Sequence, residues 1–289
     1  MMDLCNVTEV KALLARHGFH FSKAKGQNFL IAPWVPRNIA EKAGVDDTCG
    51  VLEVGPGIGP LTQQLCLRAG KVTAVEVDRT LQPILAETLG QFQNLDILWQ
   101  DILKVDIPDL VARQFPGLKT MACANLPYYI TSPVLTALLE ARCFSSVTVM
   151  VQKEVALRMA AKPGTADYSA FTVFCNYYAQ PELLFDVPAS CFIPQPKVTS
   201  AVVQLKTRQE PPCPIADEAT FFRVVRASFA QRRKQLQNGL ASGFPELGKA
   251  GAAEVLTACS LSPTVRGETL DIPAFAAIAD QIFARKNPV

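Results

Sequence analysis

Residues 51–62 read V-L-E-V-G-P-G-I-G-P-L-T, a short apolar run that breaks into alternating glycines and then into a helix-forming stretch. A run of this kind bounded by glycine is what a strand buried on both faces looks like. Glycines directly after it let the backbone turn sharply and approach a ligand closely. The same grammar repeats outward: apolar runs at 72–77, 97–99, 121–124 and 147–151 alternate with helical patterns. Alternation predicts an α/β fold, a parallel sheet wrapped by helices. Two later runs, 171–178 and 201–205, have no helix of comparable length between them. They are expected to form an antiparallel hairpin at the sheet edge, joined through F-I-P-Q-P-K-V-T-S (192–200), where Pro194 and Pro196 forbid regular structure. The proline-rich stretch 209–215 reads as a linker, and beyond it Phe221, Val224, Val225, Ser228 and Phe229 recur at helical spacing.

The glycine spacing narrows the ligand. A dinucleotide-binding loop places its third glycine five positions after the first, whereas Gly55, Gly57 and Gly59 give GxGxG followed by Pro60. No helix N-terminus is left clear for a pyrophosphate. Glu76 closes the next strand, 21 positions after Gly55, where an acid can accept both ribose hydroxyls of an adenosine. Loop and acid together favour S-adenosylmethionine, which carries an adenosine and no phosphate. Asp101 follows the third strand in W-Q-D-I-L, at the edge where an adenine amino group needs an acceptor, although a helix N-cap uses the same residue type.

N-L-P-Y, Asn125 to Tyr128, then falls at the end of the fourth strand. The exocyclic amine of adenine is a poor nucleophile because its lone pair is delocalised into the ring. Two acceptor oxygens at its hydrogens, the Asn125 side-chain amide and the Leu126 carbonyl, would draw the nitrogen toward tetrahedral geometry and aim the lone pair. Proline fixes the turn, and Tyr128 offers a ring face to a base taken out of its stack.

Composition removes other classes. With 289 residues and 49% hydrophobic content the chain can bury a large core. Nine cysteines, no two closer than sixteen positions, write neither a redox CxxC pair nor a zinc ribbon. They read as buried apolar residues of a reducing cytosol. His17 and His20 are the only histidines and suggest no metal site. No secretory or membrane-spanning apolar segment is expected. The net charge of +2 hides an asymmetry: no Asp or Glu lies between Glu9 and Glu41 or between Glu218 and Glu246, and each gap holds five Lys or Arg. One-signed stretches suit a polyanion. In the second, Arg223, Arg226, Arg232, Arg233 and Lys234 are interleaved with Phe221, Phe222 and Phe229, the pattern of a basic helix with an apolar face.

Taken together, G-Q-N-F-L (26–30), residues 51–62, A-V-E-V-D-R (74–79), Q-D-I-L (100–103), N-L-P-Y-Y-I (125–130), V-Q-K-E-V-A-L-R-M (151–159), F-I-P-Q-P-K-V-T-S and S-F-A-Q-R-R-K-Q-L-Q-N-G-L (228–240) resemble the KsgA family of small-subunit ribosomal RNA adenine dimethyltransferases. The resemblance implies a Rossmann-like class I S-adenosylmethionine-dependent methyltransferase domain with a seven-stranded, mostly parallel sheet, and a small all-helical C-terminal domain. The expected boundaries are 1–208 for the first, with its basic leader, 209–216 for the linker and 217–289 for a helical RNA-docking domain. By the same resemblance Asn28 and Leu30 line the methionine end of the cofactor, Gly55 and Gly57 pack beneath it, Glu76 holds the ribose, Asp101 and Ile102 meet the adenine, and Asn125 lies between cofactor and target. Phe192 is implied to sandwich the flipped adenine against Tyr128, and Lys197 in the same loop to meet a phosphate.

The implied substrate is a pair of adjacent adenosines in the 3′-terminal hairpin of 16S rRNA, on the small ribosomal subunit or its precursor. The protein is expected to be a cytoplasmic monomer that uses no metal. Two rivals share the fold: a non-catalytic ribosome-assembly or transcription factor, and a 23S rRNA adenine methylase conferring resistance. Lys25, Ala32 and Gly267 depart from the family's usual Leu, Asp and Ala.

Overall fold

The computed structural model describes residues 2–21, 26–232 and 234–286. It divides into two compact units, Met1–Ala156 with Gln180–Thr207, and Leu157–Ala179 with Arg208–Val289. The first contains α1 (Val7–Arg16), β1 (Phe29–Leu30), α2 (Trp34–Ala43), β2 (Cys49–Val54), α3 (Pro60–Cys66), β3 (Lys71–Glu76), α4 (Gln82–Leu89), β4 (Leu95–Trp99), α5 (Ile107–Gln114), β5 (Lys119–Asn125), α6 (Thr131–Glu140) and β6 (Ser146–Gln152). After α7 (Lys153–Met159) the chain leaves this unit, and it returns as β7 (Ala179–Val187), β8 (Phe192–Ile193) and β9 (Ser200–Thr207). The second unit is helical: α8 (Ala170–Tyr178), α9 (Glu218–Ala230), α10 (Leu236–Gly243), α11 (Gly248–Ala258) and α12 (Ile272–Lys286).

Seven strands of the described residues form one sheet in the order β4-β3-β2-β5-β6-β9-β7. β2 pairs in parallel with β3 and β5, β3 with β4, and β5 with β6, while β9 runs antiparallel to β6. All six residues of β2 are buried, as befits a central strand covered on both faces. Its Gly50 is required by packing: a Cβ there would lie 2.5 Å from the Phe115 ring. One apolar cluster joins Val35 and Ile39 of α2 and Leu61 and Leu65 of α3 to Val51, Val72, Met121 and Val202. Another joins Val10 and Leu13 of α1 to Ile58, Ile84 and Leu85, and brings in Phe29. The order reverses between β2 and β5, so a crevice opens beyond their carboxyl ends, where ligands of open α/β sheets bind. Val54 and Asn125 end those strands.

One expectation is overturned. Residues 171–178, read as a strand, lie in α8, and the strand at the sheet edge is the next stretch, Ala179–Val187. A capping box decides it: the Ser169 hydroxyl accepts the Thr172 N–H, and the Thr172 hydroxyl accepts the Ser169 N–H. The aromatic residues that suggested a strand instead pack helix on helix, with Tyr177 stacked on Phe221 at 5.2 Å and Tyr178 on Phe222 at 5.9 Å. Both tyrosine hydroxyls donate to the Glu218 carboxylate, at 2.9 and 2.6 Å. For that reason Leu157–Ala179 belongs with the C-terminal helices, not with the first unit as a boundary at 208 would have it. Gly267 also has a packing reason: a Cβ there would fall 2.8 Å from that of Ser228 on α9. Lys25 lies outside the described residues.

Candidate active site

A cavity of about 350 Å³ occupies the crevice at the ends of β2, β3, β4 and β5, within the first unit. This is the size of a small-molecule site. Its base is the glycine loop. Gly55, Gly57 and Gly59 all have positive φ, at 71°, 59° and 100°, the region open to glycine at no steric cost. A Cβ on Gly55, which lines the cavity, would meet no atom within 4 Å, so side-chain bulk there would project into ligand space. Gly59 caps α3, with Pro60 in its first turn.

The described lining carries four acids, Glu53, Glu76, Asp78 and Asp101, and no basic side chain. Glu76 is 7% exposed, and its Oε1 accepts the Asp78 N–H at 2.7 Å. Burial raises its pKa above the ordinary 4.5. Glu53 is 1% exposed, its Oε2 has no hydrogen-bond partner among the described residues, and burial, reinforced by the Glu76 charge, pushes its carboxyl up to about 8. With Glu53 holding its proton at neutral pH, the other acids and the lack of a basic side chain in the described lining still repel phosphates and attract a cation. Such a lining suits a sulfonium and an ammonium far better than a pyrophosphate, and with the open space over Gly55 it fits S-adenosylmethionine. Asp101 serves both readings of its residue type: Oδ1 caps a short turn by accepting the Leu103 N–H at 3.0 Å, and Oδ2 is left for a ligand. The Asn28 amide group donates to the Gly26 carbonyl at 3.1 Å, which leaves its own oxygen as an acceptor.

The N-L-P-Y turn borders the same cavity. The Asn125 side chain forms no hydrogen bond with any described residue and borders the cavity. Leu126 is buried, its N–H tied back to the Met150 carbonyl at 3.2 Å. Pro127 leads into a tight turn over Tyr128–Ile130. The Tyr128 hydroxyl shares a 2.8 Å hydrogen bond with Ser200 Oγ, and burial raises its pKa. Phe192 pairs with Leu30 across the short antiparallel ribbon of β1 and β8, which brings leader and proline loop to the same cavity wall.

All eleven residues expected at the catalytic and cofactor sites, from Asn28 and Leu30 through Gly55, Gly57, Glu76, Asp101, Ile102, Asn125, Leu126 and Tyr128 to Phe192, border this one cavity, Asn125 serving in both sets. Sequence reading passed over Glu53, although an acid inside V-L-E-V was a visible anomaly. It also missed Gln27, whose side chain donates to Asp78 Oδ2 at 2.9 Å, a pair separated by 51 positions and carrying no local signal. The expected RNA-binding residues divide. Arg223 is spoken for, with Nε donating to the Gly243 carbonyl at 2.8 Å and the guanidinium 4.2 Å from the Phe244 ring centroid. Arg232 ties Glu268 at 2.9 Å and the carbonyls of Thr165 and Ala166 at 3.1 and 2.6 Å. Arg226, Lys234 and Lys197 are exposed and make no ion pair with a described residue. Arg233 lies outside the described residues. Among those residues no cluster of His, Cys, Asp and Glu is placed to hold a metal ion, and no helix is long and apolar enough to cross a membrane.

The profile of the family described as Ribosomal RNA adenine dimethylase matches residues 18–276. The chain is 46% identical over 285 residues to "Ribosomal RNA small subunit methyltransferase A" of Geobacillus thermodenitrificans, covering 97% of each. It is 42% identical to the protein of the same name from Alkaliphilus metalliredigens, covering 99% of this chain and 100% of that one. Among solved structures it is similar to a dimethyladenosine transferase from Plasmodium falciparum, with 25% identity, a TM-score of 0.74 and coverage of 89% and 97%. It is also similar to the 23S rRNA methyltransferase ErmE, with 26% identity, a TM-score of 0.66 and coverage of 88% and 99%.

Proposed function

The chain belongs to the ribosomal RNA adenine dimethylase family, and from that membership we propose that it dimethylates the exocyclic amines of two adjacent adenosines in the 3′-terminal hairpin of 16S rRNA. It does so during small-subunit biogenesis, as a cytoplasmic monomer. The observation that carries the reading is the meeting of Asn125 and Tyr128 with an acid-lined, phosphate-averse cavity at the switch point of the sheet.

When bound, S-adenosylmethionine supplies an electrophilic methyl group on its sulfonium. Glu76 holds the ribose hydroxyls, Asp101 with Ile102 the adenine, and Asn28 with Leu30 the methionine end, over Gly55 and Gly57. The target base lies flat between Tyr128 and Phe192. Asn125 Oδ1 and the Leu126 carbonyl accept from its amino group, and the interaction strengthens as positive charge develops on that nitrogen. The amine would attack the methyl carbon in line, so that the N–C bond forms as the S–C bond breaks with its electron pair left on the neutral thioether, and the amine's proton leaves to solvent. Catalysis here is positioning and electrostatics, and no side chain becomes covalently attached. Arg226, Lys234 and Lys197, which are exposed, supply RNA contacts; Arg223 and Arg232 act first as struts of the helical unit.

A resistance methylase of 23S rRNA shares this chemistry and the fold of ErmE. The near full-length relatives at 42–46% identity carry a small-subunit name instead, and this supports the small subunit. The intact Asn125–Tyr128 turn argues against a non-catalytic assembly or transcription factor. The test is to incubate the protein and S-adenosylmethionine with unmethylated small subunits, or with large subunits, and to measure dimethyladenosine by mass spectrometry of the digested RNA. Dimethyladenosine in the small subunit alone is expected; its appearance only in the large subunit would establish the rival.

A further inference from the structure

Tyr129 is the most exposed aromatic ring among the described residues, at 61%, yet it borders the same cavity as Tyr128. The turn that holds both is well fixed. The Ile130 N–H donates to the Pro127 carbonyl at 3.2 Å, and the Thr131 hydroxyl donates to the same oxygen at 3.3 Å. Successive side chains of such a turn diverge by about a third of a circle. Tyr128 is therefore anchored inward through Ser200, while the ring of Tyr129 is left in water at the cavity mouth. One edge of that ring rests on Gly26, where a Cβ would lie 3.3 Å from the ring Cδ1. The contact steadies the ring and leaves most of its surface uncovered.

We infer that Tyr129 is a second stacking platform, which takes the unpaired base adjoining the one drawn into the cavity. The inference rests on the proposed reaction. Removing one base from a run of stacked nucleotides strips its neighbour of a partner, and an aromatic face at the point of extrusion replaces it. Stacking reads a π-face and is indifferent to methyl groups on the amine. The same ring therefore serves whichever of two adjacent adenosines waits outside while the other reacts on Tyr128. The competing role is a purely structural one, holding Gly26 and with it the leader.

The test pairs protein variants with altered RNA. Small subunits are reconstituted on unmethylated 16S rRNA whose 3′ segment is synthetic, either intact or lacking the base beside the adenosine that is scored. Single-turnover methyl transfer at subsaturating protein and cofactor affinity are measured for the parent, Tyr129→Ala and Tyr129→Phe. Tyr129→Ala should lower transfer on intact particles by about five- to 150-fold with cofactor affinity unchanged, and Tyr129→Phe should match the parent. Removal of the neighbouring base should slow the parent by a similar factor and slow Tyr129→Ala no further. Parental rates for Tyr129→Ala, or an undiminished alanine effect on particles lacking the base, would overturn the inference. Failure of the parent to methylate intact particles would instead overturn the reaction on which it rests.

Discussion

Replacing Glu76 with Gln tests the cofactor site most cleanly. The carboxylate is 7% exposed at the end of β3, and one of its oxygens already accepts the Asp78 N–H at 2.7 Å. Glutamine can keep that internal bond with its single carbonyl oxygen. It loses the charge, and it turns an NH2 donor toward ribose hydroxyls that are themselves seeking an acceptor. The loss of one charge-assisted hydrogen bond, about 1.5 to 3 kcal/mol, weakens binding by roughly 10- to 150-fold. Alanine should fall at or beyond the upper end, because it also strands the Asp78 N–H. A pH series adds a second signature. Burial holds the Glu76 carboxyl above 4.5 in the ligand-free protein, and the ribose needs the ionised form. Parental affinity should therefore begin to fall at a pH higher than an ordinary glutamate would give, whereas the Gln variant should show no such fall. Isothermal titration with S-adenosylmethionine and with its demethylated product reads both effects. Parental affinity for the Gln variant at neutral pH, with unchanged melting temperature, would refute the assignment.

Other outcomes follow from particular contacts. Tyr128→Phe leaves the fully buried Ser200 hydroxyl without its partner and should cost about 1 to 3 kcal/mol of stability, most of it recovered in the Tyr128→Phe, Ser200→Ala double variant, as denaturant titration would show. Arg232→Ala should lower the melting temperature by severing the ties to Glu268, Thr165 and Ala166, whereas Arg226→Ala should leave it unchanged and, as Arg226→Glu, should weaken small-subunit binding and flatten its salt dependence by about one unit or less. Glu53 keeps a proton in the folded state up to about pH 8 that the unfolded chain releases near 4.5, so its contribution to stability falls as pH rises between those values and is level above them. Glu53→Gln should therefore gain on the parent from mildly acidic to alkaline pH, measured as the difference in melting temperature.

Much of this architecture was legible in the chain because its signals are local. Most of these strands are apolar runs closed by a turn residue, and the glycines, Glu76, Asp101 and Asn125 lie at or just beyond the carboxyl ends of β2, β3, β4 and β5, where they meet in one crevice. Helix α8 was not legible: its aromatic content resembles a strand, and it is a helix because of the reciprocal Ser169 and Thr172 cap and because Glu218, forty residues on, accepts from both tyrosines. The basic stretch after Glu218 looked uniform as text. Arg223 and Arg232 are distinguished from Arg226 only by the carbonyls, carboxylates and ring that folding brings to them. The contact between Gln27 and Asp78 was invisible for the same reason.

Asn125 and Tyr128 are proposed to present an adenosine amine of small-subunit RNA to S-adenosylmethionine. The most direct measurement maps the product at nucleotide resolution, by reverse transcription of 16S rRNA from unmethylated small subunits treated with the protein and S-adenosylmethionine, since two methyl groups on the amine block base pairing. Termination is expected at two adjacent adenosines of the 3′-terminal hairpin with the parent protein, and none with Asn125→Ala. Termination at any other site, or at the same site with Asn125→Ala at the parental rate, would contradict it.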